Sequence, residues 1–143
     1  MHSSLLSISA RYLSQLLFVL SLVVLYRGHN LPGGGFIGGL IAASAILLIA
    51  LARNWDDALA SLRFSPLNII VTGLSIAVLS GIPGLIQNGA YLTGEWLPFF
   101  ELPLLGKIKL GTPLLFDIGV YLAVIGSTIK CAHSLGMDID ESA

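Results

Sequence analysis

The amino-acid sequence predicts an all-α integral membrane protein: a bundle of four transmembrane helices with a glycine-rich first loop and a longer third loop. The first observation is composition, because 55% of the 143 residues are hydrophobic and only 10% are charged. A soluble domain carries charge on about a quarter of its residues. The second is the spacing of the charges, which leaves four stretches near the roughly 20 apolar residues that cross a membrane core. Together they form one predicted domain, residues 1–143.

The first two helices are predicted at about residues 8–26 and 36–52. Arg11 lies inside the first, so we expect its side chain to reach back to the membrane surface. No small-residue cleavage site of the kind a signal peptide needs follows this segment, so we expect it to be retained. The second helix is uncharged and ends before Arg53.

The third and fourth helices are predicted at about residues 66–86 and 113–129. Each begins with a proline, Pro66 or Pro113, which the first helical turn tolerates because its N–H groups have no intrahelical partner. The third is uncharged, and the fourth ends before Lys130.

The connections differ in composition. Residues 53–65 carry charges and a tryptophan and are compatible with a short interfacial helix. Residues 87–111 form the longest connection, whose aromatic residues suit the membrane surface or the face of a partner. Residues 138–143 are an acidic tail that we expect to be mobile.

An even number of spans places both termini on one side of the membrane. That side carries Arg11, Arg53, Arg63 and Lys130, and the other carries three cations (Arg27, Lys107, Lys109). The positive-inside rule therefore predicts cytoplasmic termini, on a margin of one cation.

Charge and cysteine content exclude several function classes. A net charge of -1 supplies no basic surface for nucleic acid, whose binding depends on neutralising phosphates. The single Cys131 excludes an intramolecular disulfide framework and makes no zinc site by itself. No cofactor motif is recognisable, so we expect no cofactor.

Small residues at four-residue spacing occur on each of the last three helices. Such rows let helices approach closely in lipid, where close packing drives association. Packing within this chain and docking onto other membrane subunits both explain them. The rows are Gly35, Gly39, Ala43; Gly73, Ala77, Gly81; and Gly119, Ala123, Ser127.

Asp117 is the only acidic residue well inside a predicted span, about one turn after Pro113. It points about 200° away from the row that begins at Gly119 and shares a face with Tyr121, a possible hydrogen-bond partner. Three roles stay open: a carboxylate that stabilises a helix start, a group in proton or cation passage, or a salt bridge to another subunit.

The segment Gly28-His29-Asn30-Leu31-Pro32-Gly33-Gly34-Gly35-Phe36 predicts a tight turn, because Pro32 fixes φ while the glycines accept positive φ or close approach. A phosphate-binding loop is excluded by the absence of a preceding strand and of a Gly-Lys-Ser/Thr sequence. His29 has no neighbouring metal ligands and is expected to bond backbone. The serines lack a nucleophile-elbow sequence, so the chain shows no enzymatic machinery.

The sequence resembles a known family in three places. The glycine segment, continued by Gly38-Gly39, is one; Phe116-Asp117-x-Gly119-Val120-Tyr121 and Leu102-Pro103-x-x-Gly106 are the others. Together they resemble the B-type component of the multisubunit Mrp-type cation/proton antiporter of bacteria. Leu31 replaces a smaller residue expected there, which we interpret as a tolerated loop variation.

The resemblance implies a small subunit of a hetero-oligomer in the cytoplasmic membrane, with partner subunits of A, C, D, E, F and G type. It implies that the complex exchanges sodium for protons, mainly through the A-type and D-type subunits. A related B-type subunit occurs in membrane-bound hydrogenase complexes, which is one alternative. A self-contained homo-oligomeric transporter and an unrecognised intramembrane hydrolase are the others. The candidate functional residues are His29, Pro32, Gly33, Gly34, Gly35, Phe36, Asp117 and Tyr121.

Overall fold

A computed structural model describes residues 4–28, 34–88, 90–94, 100–102, 106–108 and 111–142. The described helices are α1 (Ser4–Gly28), α2 (Gly34–Ala52), α3 (Trp55–Ala60), α4 (Pro66–Leu79), α5 (Ile82–Asn88) and α6 (Thr112–Ser142). Two short strands, β1 (Phe100–Leu102) and β2 (Gly106–Ile108), lie between α5 and α6. Four segments are long and apolar enough to span a membrane: Ser7–Gly28, Gly34–Ala52, Pro66–Gln87 and Thr112–Gly136. The predicted four-span helical fold is therefore confirmed.

The short helix expected in the second connection is present as α3. Asn54 caps it by accepting the N–H of Asp57 at 2.7 Å. Asp56 and Asp57 lie in its first turn, where negative charge is favoured. Trp55 packs edge-on against His133 of α6, with ring centroids 5.1 Å apart, so α3 contacts the end of the fourth span.

The third span is not one continuous helix over residues 66–86, as the apolar pattern predicts, but two helices with a break at Ser80 and Gly81. Pro83 explains the break, because it has no N–H for the Leu79 carbonyl four residues earlier and its ring would clash there. The apolar run is unbroken at this point, which is why hydropathy alone does not detect it.

The third connection contains structure that the sequence pattern does not predict. β1 and β2 pair antiparallel, with Phe100 opposite Ile108 and Leu102 opposite Gly106. Three residues are too few for an alternating pattern to be recognised, so the hairpin adds a small β element to an otherwise helical fold.

The fourth helix continues well past residue 129, to Ser142, and so includes most of the predicted acidic tail. Lys130 ends the apolar stretch, but a lysine is a good helix former and does not end a helix. No proline follows it. The end of the helix predicted at residue 129 is therefore wrong, because a charged residue that ends an apolar run does not end the helix.

The spans pack as a row in the order α1, α2, α6, α4. The two interior helices are α2, which packs against both α1 and α6, and α6, which packs against both α2 and α4. The core lies where α2, α3 and α6 meet and consists of Ala42, Ala43, Ile46, Ala58, Tyr121, Ile125 and Ile129. Two small-residue rows meet directly, because Gly73 and Ala77 of α4 face Gly119 and Ala123 of α6.

Candidate functional site

Asp117 of α6 lies beside the first residue of α2. Its carboxyl group is half-buried and faces Gly34, where a Cβ atom would lie 2.8 Å from Asp117 Oδ2. Gly34 has a φ of 39°, in the left-handed region that glycine adopts readily. A side chain at this position would therefore meet both an unfavourable backbone conformation and the carboxylate.

Asp117 lies where a negative charge is electrostatically favourable, beside the N-terminus of α2. The first N–H groups of α2 have no intrahelical partner, and the N-terminus of a helix carries partial positive charge. α2 has no acidic residue in its own first turn, so Asp117 of α6 provides the negative charge there. One of the three roles left open for Asp117 is a carboxylate at the start of its own helix; in the structure its carboxyl group lies beside the start of α2.

Glycines make this close approach possible. A Cβ atom at Gly35 would overlap the backbone carbonyl of Asp117, and one at Gly39 would lie 2.9 Å from the carbonyl oxygen of Tyr121. Gly28, at the end of α1, is in equally close contact with the backbone of Gly34. The glycine rows therefore set the distance between α2 and α6 and, with it, the position of the carboxylate.

Tyr121 is buried one turn beyond Asp117 and links α6 to α1. Its hydroxyl lies 3.0 Å from Ser21 Oγ. Because Ser21 donates its own proton to the Phe18 carbonyl at 2.6 Å, the Tyr121 hydroxyl is the donor. The partner is thus Ser21 rather than Asp117, and the expected Asp117–Tyr121 bond is not among the bonds of the described residues.

A cavity of about 360 Å³ opens beside Asp117. Gly28 at the end of α1, Ser80 at the α4–α5 break and Thr112 at the start of α6 contribute to its wall. Leu92, Pro113 and Phe116 supply apolar surface. The carboxylate therefore faces a space at the end of the helices that can hold water.

The helix break on the other side of this cavity is held by Tyr91. Its hydroxyl donates to the Val78 carbonyl at 2.6 Å, and its ring covers Gly81, where a Cβ atom would lie 2.5 Å from Tyr91 Cε2. Interrupted membrane helices occur where transporters bind ions, because they expose backbone carbonyls next to a cavity. A carboxylate and an interrupted helix thus line one cavity.

The other predicted residues divide into two groups. His29, Pro32 and Gly33 lie outside the described residues. Phe36 is described and is 58% exposed on α2, so it faces lipid or a neighbouring protein. Among the described residues, no three histidine, cysteine, aspartate or glutamate side chains come together as a metal site.

Sequence reasoning missed three contributors to the site: Ser21, Ser80 and Tyr91. Pro83, inside the apolar run, is the signal that indicates the break near Ser80. Ser21 and Tyr91 carry no such signal, because their partners are distant in sequence.

Comparison with known proteins agrees with the motifs. The family described as "Domain related to MnhB subunit of Na+/H+ antiporter" matches residues 5–130. The B-type component of the Na(+)/H(+) antiporter of Bacillus subtilis is 36% identical over 131 residues, which cover 92% of this chain and 91% of that protein. The corresponding antiporter component of Alkalihalophilus pseudofirmus is 37% identical over 128 residues, covering 90% and 88%.

Two further similarities extend the comparison. A putative antiporter subunit mnhB2 of Staphylococcus aureus is 33% identical over 120 residues, covering 84% of each chain. A chain in the structure of the Mrp complex from Dietzia sp. DQ12-45-1b superposes with a TM-score of 0.72 at 38% identity. The match covers 87% of the present chain and 13% of that chain, so the similar domain there is part of a much longer polypeptide.

Proposed function

Because this chain belongs to the family of domains related to the MnhB subunit of Na+/H+ antiporters, we propose that it is the B-type subunit of a hetero-oligomeric sodium/proton antiporter. It lies in the bacterial cytoplasmic membrane with both termini in the cytoplasm, and it acts as a transport component and not as an enzyme. The observation that carries the proposal is the match, over most of this chain, to a domain within an Mrp complex.

The distribution of charge supports dependence on partner subunits. Within the four spans, Asp117 is the only acidic side chain, and two of the spans carry no charge. A route for cations across a membrane needs several polar or charged groups at successive depths. One carboxylate near one end of the spans provides a single step, so other subunits supply the rest of the route.

The cavity favours a second role for Asp117 beyond the stabilisation of α2. The carboxylate that faces the N-terminus of α2 also lines the 360 Å³ cavity. A carboxylate next to water can bind a proton or a monovalent cation and release it to a neighbouring site. The chain thus contributes to assembly through α2 and α6 and to coupling through Asp117.

Purification through a tag on this chain tests the subunit role. In mild detergent, we expect several other antiporter subunits to be recovered with it. Recovery of this polypeptide alone would contradict the proposal, and recovery of hydrogenase subunits would assign the chain to the alternative complex. Vesicles containing only this protein should show no sodium-dependent proton movement, and robust exchange there would favour a self-contained transporter.

The variant Asp117→Asn tests the role in coupling, because asparagine keeps the shape and removes the charge. We expect the complex to assemble in reduced yield and to lose most sodium-driven proton movement in everted vesicles. Asp56→Asn in α3, an exposed acid far from the cavity, is the matched control and should transport normally. Normal transport by Asp117→Asn would exclude an essential ion-carrying role.

Membrane orientation is tested with a single introduced cysteine. Ala60 is exposed at the end of α3, so an Ala60→Cys change in a Cys131→Ser chain reports the side that carries both termini. We expect a membrane-impermeant maleimide to label it in everted vesicles and not in intact cells. The reverse pattern would invert the orientation.

A further inference from the structure

A second cavity, of about 470 Å³, lies at the opposite ends of the helices from Asp117. It is bounded by residues near the start of α1, by the end of α2 and by α3, and it is open on one side. Its polar lining consists of Arg11, Ser14, Gln15, Arg53, Asp57 and Ser61. We refer to it as the arginine groove, and its volume falls in the range of about 300–1,000 Å³ that is typical of small-ligand sites.

The charge balance of the groove is positive. Arg53 Nη1 lies 3.8 Å from Asp57 Oδ2, a long ion pair between half-exposed side chains. Such pairs are weak and easily exchanged for a better partner. Arg11 has no carboxylate within ion-pair distance among the described residues. The lining of the groove therefore contains two guanidinium groups and one carboxylate, which is paired with Arg53.

The position of Arg11 along its helix indicates what kind of anion it meets. The candidate α1 span begins at Ser7, so Arg11 lies about one turn inside the end of that span. Helical side chains point toward the N-terminus, and long cationic ones extend to the interface. The Arg11 guanidinium is therefore directed to the depth at which lipid phosphates lie, rather than into bulk water.

The other residues that line the groove are of two kinds: polar groups that could donate hydrogen bonds to an anion, and apolar side chains. The hydroxyl protons of Ser14 and Ser61 are already donated to the carbonyls of Arg11 and Ala58, so they do not serve an anion. The guanidinium groups and the Gln15 amide are the available donors. Ala10 and Ile49 form an apolar wall. Directed cationic donors beside an apolar wall match a phosphate joined to a lipid better than a free, fully hydrated anion.

We propose that the arginine groove binds the phosphate of an anionic phospholipid headgroup, with Arg11 and Arg53 as its ligands. Basic pockets between membrane helices bind such headgroups by this chemistry. Binding joins α1 to the α2–α3 corner through the lipid, because the two arginines come from different helices. The proposal concerns the end of the molecule away from Asp117 and is independent of the transport role.

The test uses the protein in the assembly with which it purifies, reconstituted in nanodiscs that contain a photo-crosslinkable phosphatidylglycerol. Lipid adducts on this chain are mapped by peptide mass spectrometry. We expect adducts on residues around the groove, reduced about fivefold by Arg11→Gln or Arg53→Gln, which corresponds to about 1 kcal/mol per cation near an anionic lipid. Arg63→Gln is the matched control, since Arg63 is exposed nearby but does not line the groove.

Asp57→Asn distinguishes loss of lipid binding from misfolding, because its lipid labelling is expected to increase and misfolding would not increase it. It removes the negative charge from the groove and frees Arg53, so labelling should rise above that of the unmodified protein. A photo-crosslinkable phosphatidylcholine should give few adducts there. Millimolar inorganic phosphate should not compete.

Three results would overturn the proposal. Equal labelling of Arg11→Gln and Arg63→Gln would show that the groove arginines do not bind the lipid. Displacement of the label by inorganic phosphate would identify a free anion as the ligand. Absence of adducts around the groove in the assembled protein would show that lipid does not reach it.

Discussion

Replacing Gly119 with alanine would place a methyl group in the close backbone crossing between α4 and α6. The added Cβ would lie 2.5 Å from the Ala77 nitrogen and 2.6 Å from the Gly73 carbonyl oxygen, whereas ordinary contacts begin near 3.4 Å. Both obstructing atoms belong to the backbone, so no side chain can rotate away. The two helices must therefore separate.

The size of the effect follows from that separation. Accommodating the methyl group requires α4 to move by about 1 Å, and a gap of 0.5–1 Å loses about a quarter to a half of each dispersion contact along the crossing. Overpacking of this kind costs about 1–3 kcal/mol, against about 1 kcal/mol that alanine gains over glycine in a helix. We expect a net loss of up to about 2 kcal/mol.

The assay measures two quantities for the assembly purified through a tag on this chain: its yield and the midpoint temperature of its thermal unfolding. Gly73→Ala obstructs the same crossing from the other side, with a Cβ 2.5 Å from the Ala123 nitrogen. One separation accommodates both methyl groups, so the double variant should lose less than the sum of the single losses. Gly38→Ala, whose Cβ would lie 3.0 Å from the Ser21 carbonyl oxygen, needs only a small adjustment and should be nearly neutral.

Two results would refute this reasoning. Fully additive losses in the double variant would show that the two glycines act at separate contacts. A Gly38→Ala variant as damaging as Gly119→Ala would show that the measured loss does not depend on the distance to the neighbouring backbone.

Two more predictions concern hydroxyl groups. Tyr91→Phe removes the donor to the Val78 carbonyl at the helix break and should lower stability by about 1 kcal/mol in the same assay. Tyr12→Phe, at a tyrosine that is 69% exposed, is the control and should leave the thermal midpoint unchanged. Equal losses in the two variants would contradict a stabilising role for the Tyr91–Val78 hydrogen bond. In a double-mutant cycle, Ser21→Ala and Tyr121→Phe should show a coupling free energy of about 0.6 kcal/mol, which is typical of hydrogen bonds between membrane helices. Zero coupling would mean that the two hydroxyls do not meet in the assembled protein.

Local properties of the sequence predict the spans well, because membrane insertion depends on the hydropathy of each segment by itself. The limits at Ala52 and Pro66 agree with the structure for this reason. The break before Pro83 does not change hydropathy, and it follows instead from a missing N–H group. The hairpin in the third connection is too short to leave a pattern.

The site was partly predictable. Rotation about the helix axis correctly separates Asp117 from Gly119: the first faces α2 and the second faces α4. The partner of Asp117 was not predictable, because Gly34 at the start of α2 is more than eighty positions away in sequence and comes close only through the packing of α2 against α6. The Ser21–Tyr121 bond joins residues one hundred positions apart, which no local pattern encodes.

The placement of Asp117 connects the two roles proposed for this subunit. The negative charge of Asp117 favours the packing of the α2 N-terminus against α6, and the same charge faces the cavity. Binding of a proton or a cation to Asp117 would therefore weaken the attraction between its carboxylate and the N-terminus of α2. Gly35 and Gly39 bring the backbones of α2 and α6 into close contact, so we expect a change at Asp117 to affect the packing of α2. In the proposed function, ion binding at Asp117 therefore changes together with the packing of α2 against α6.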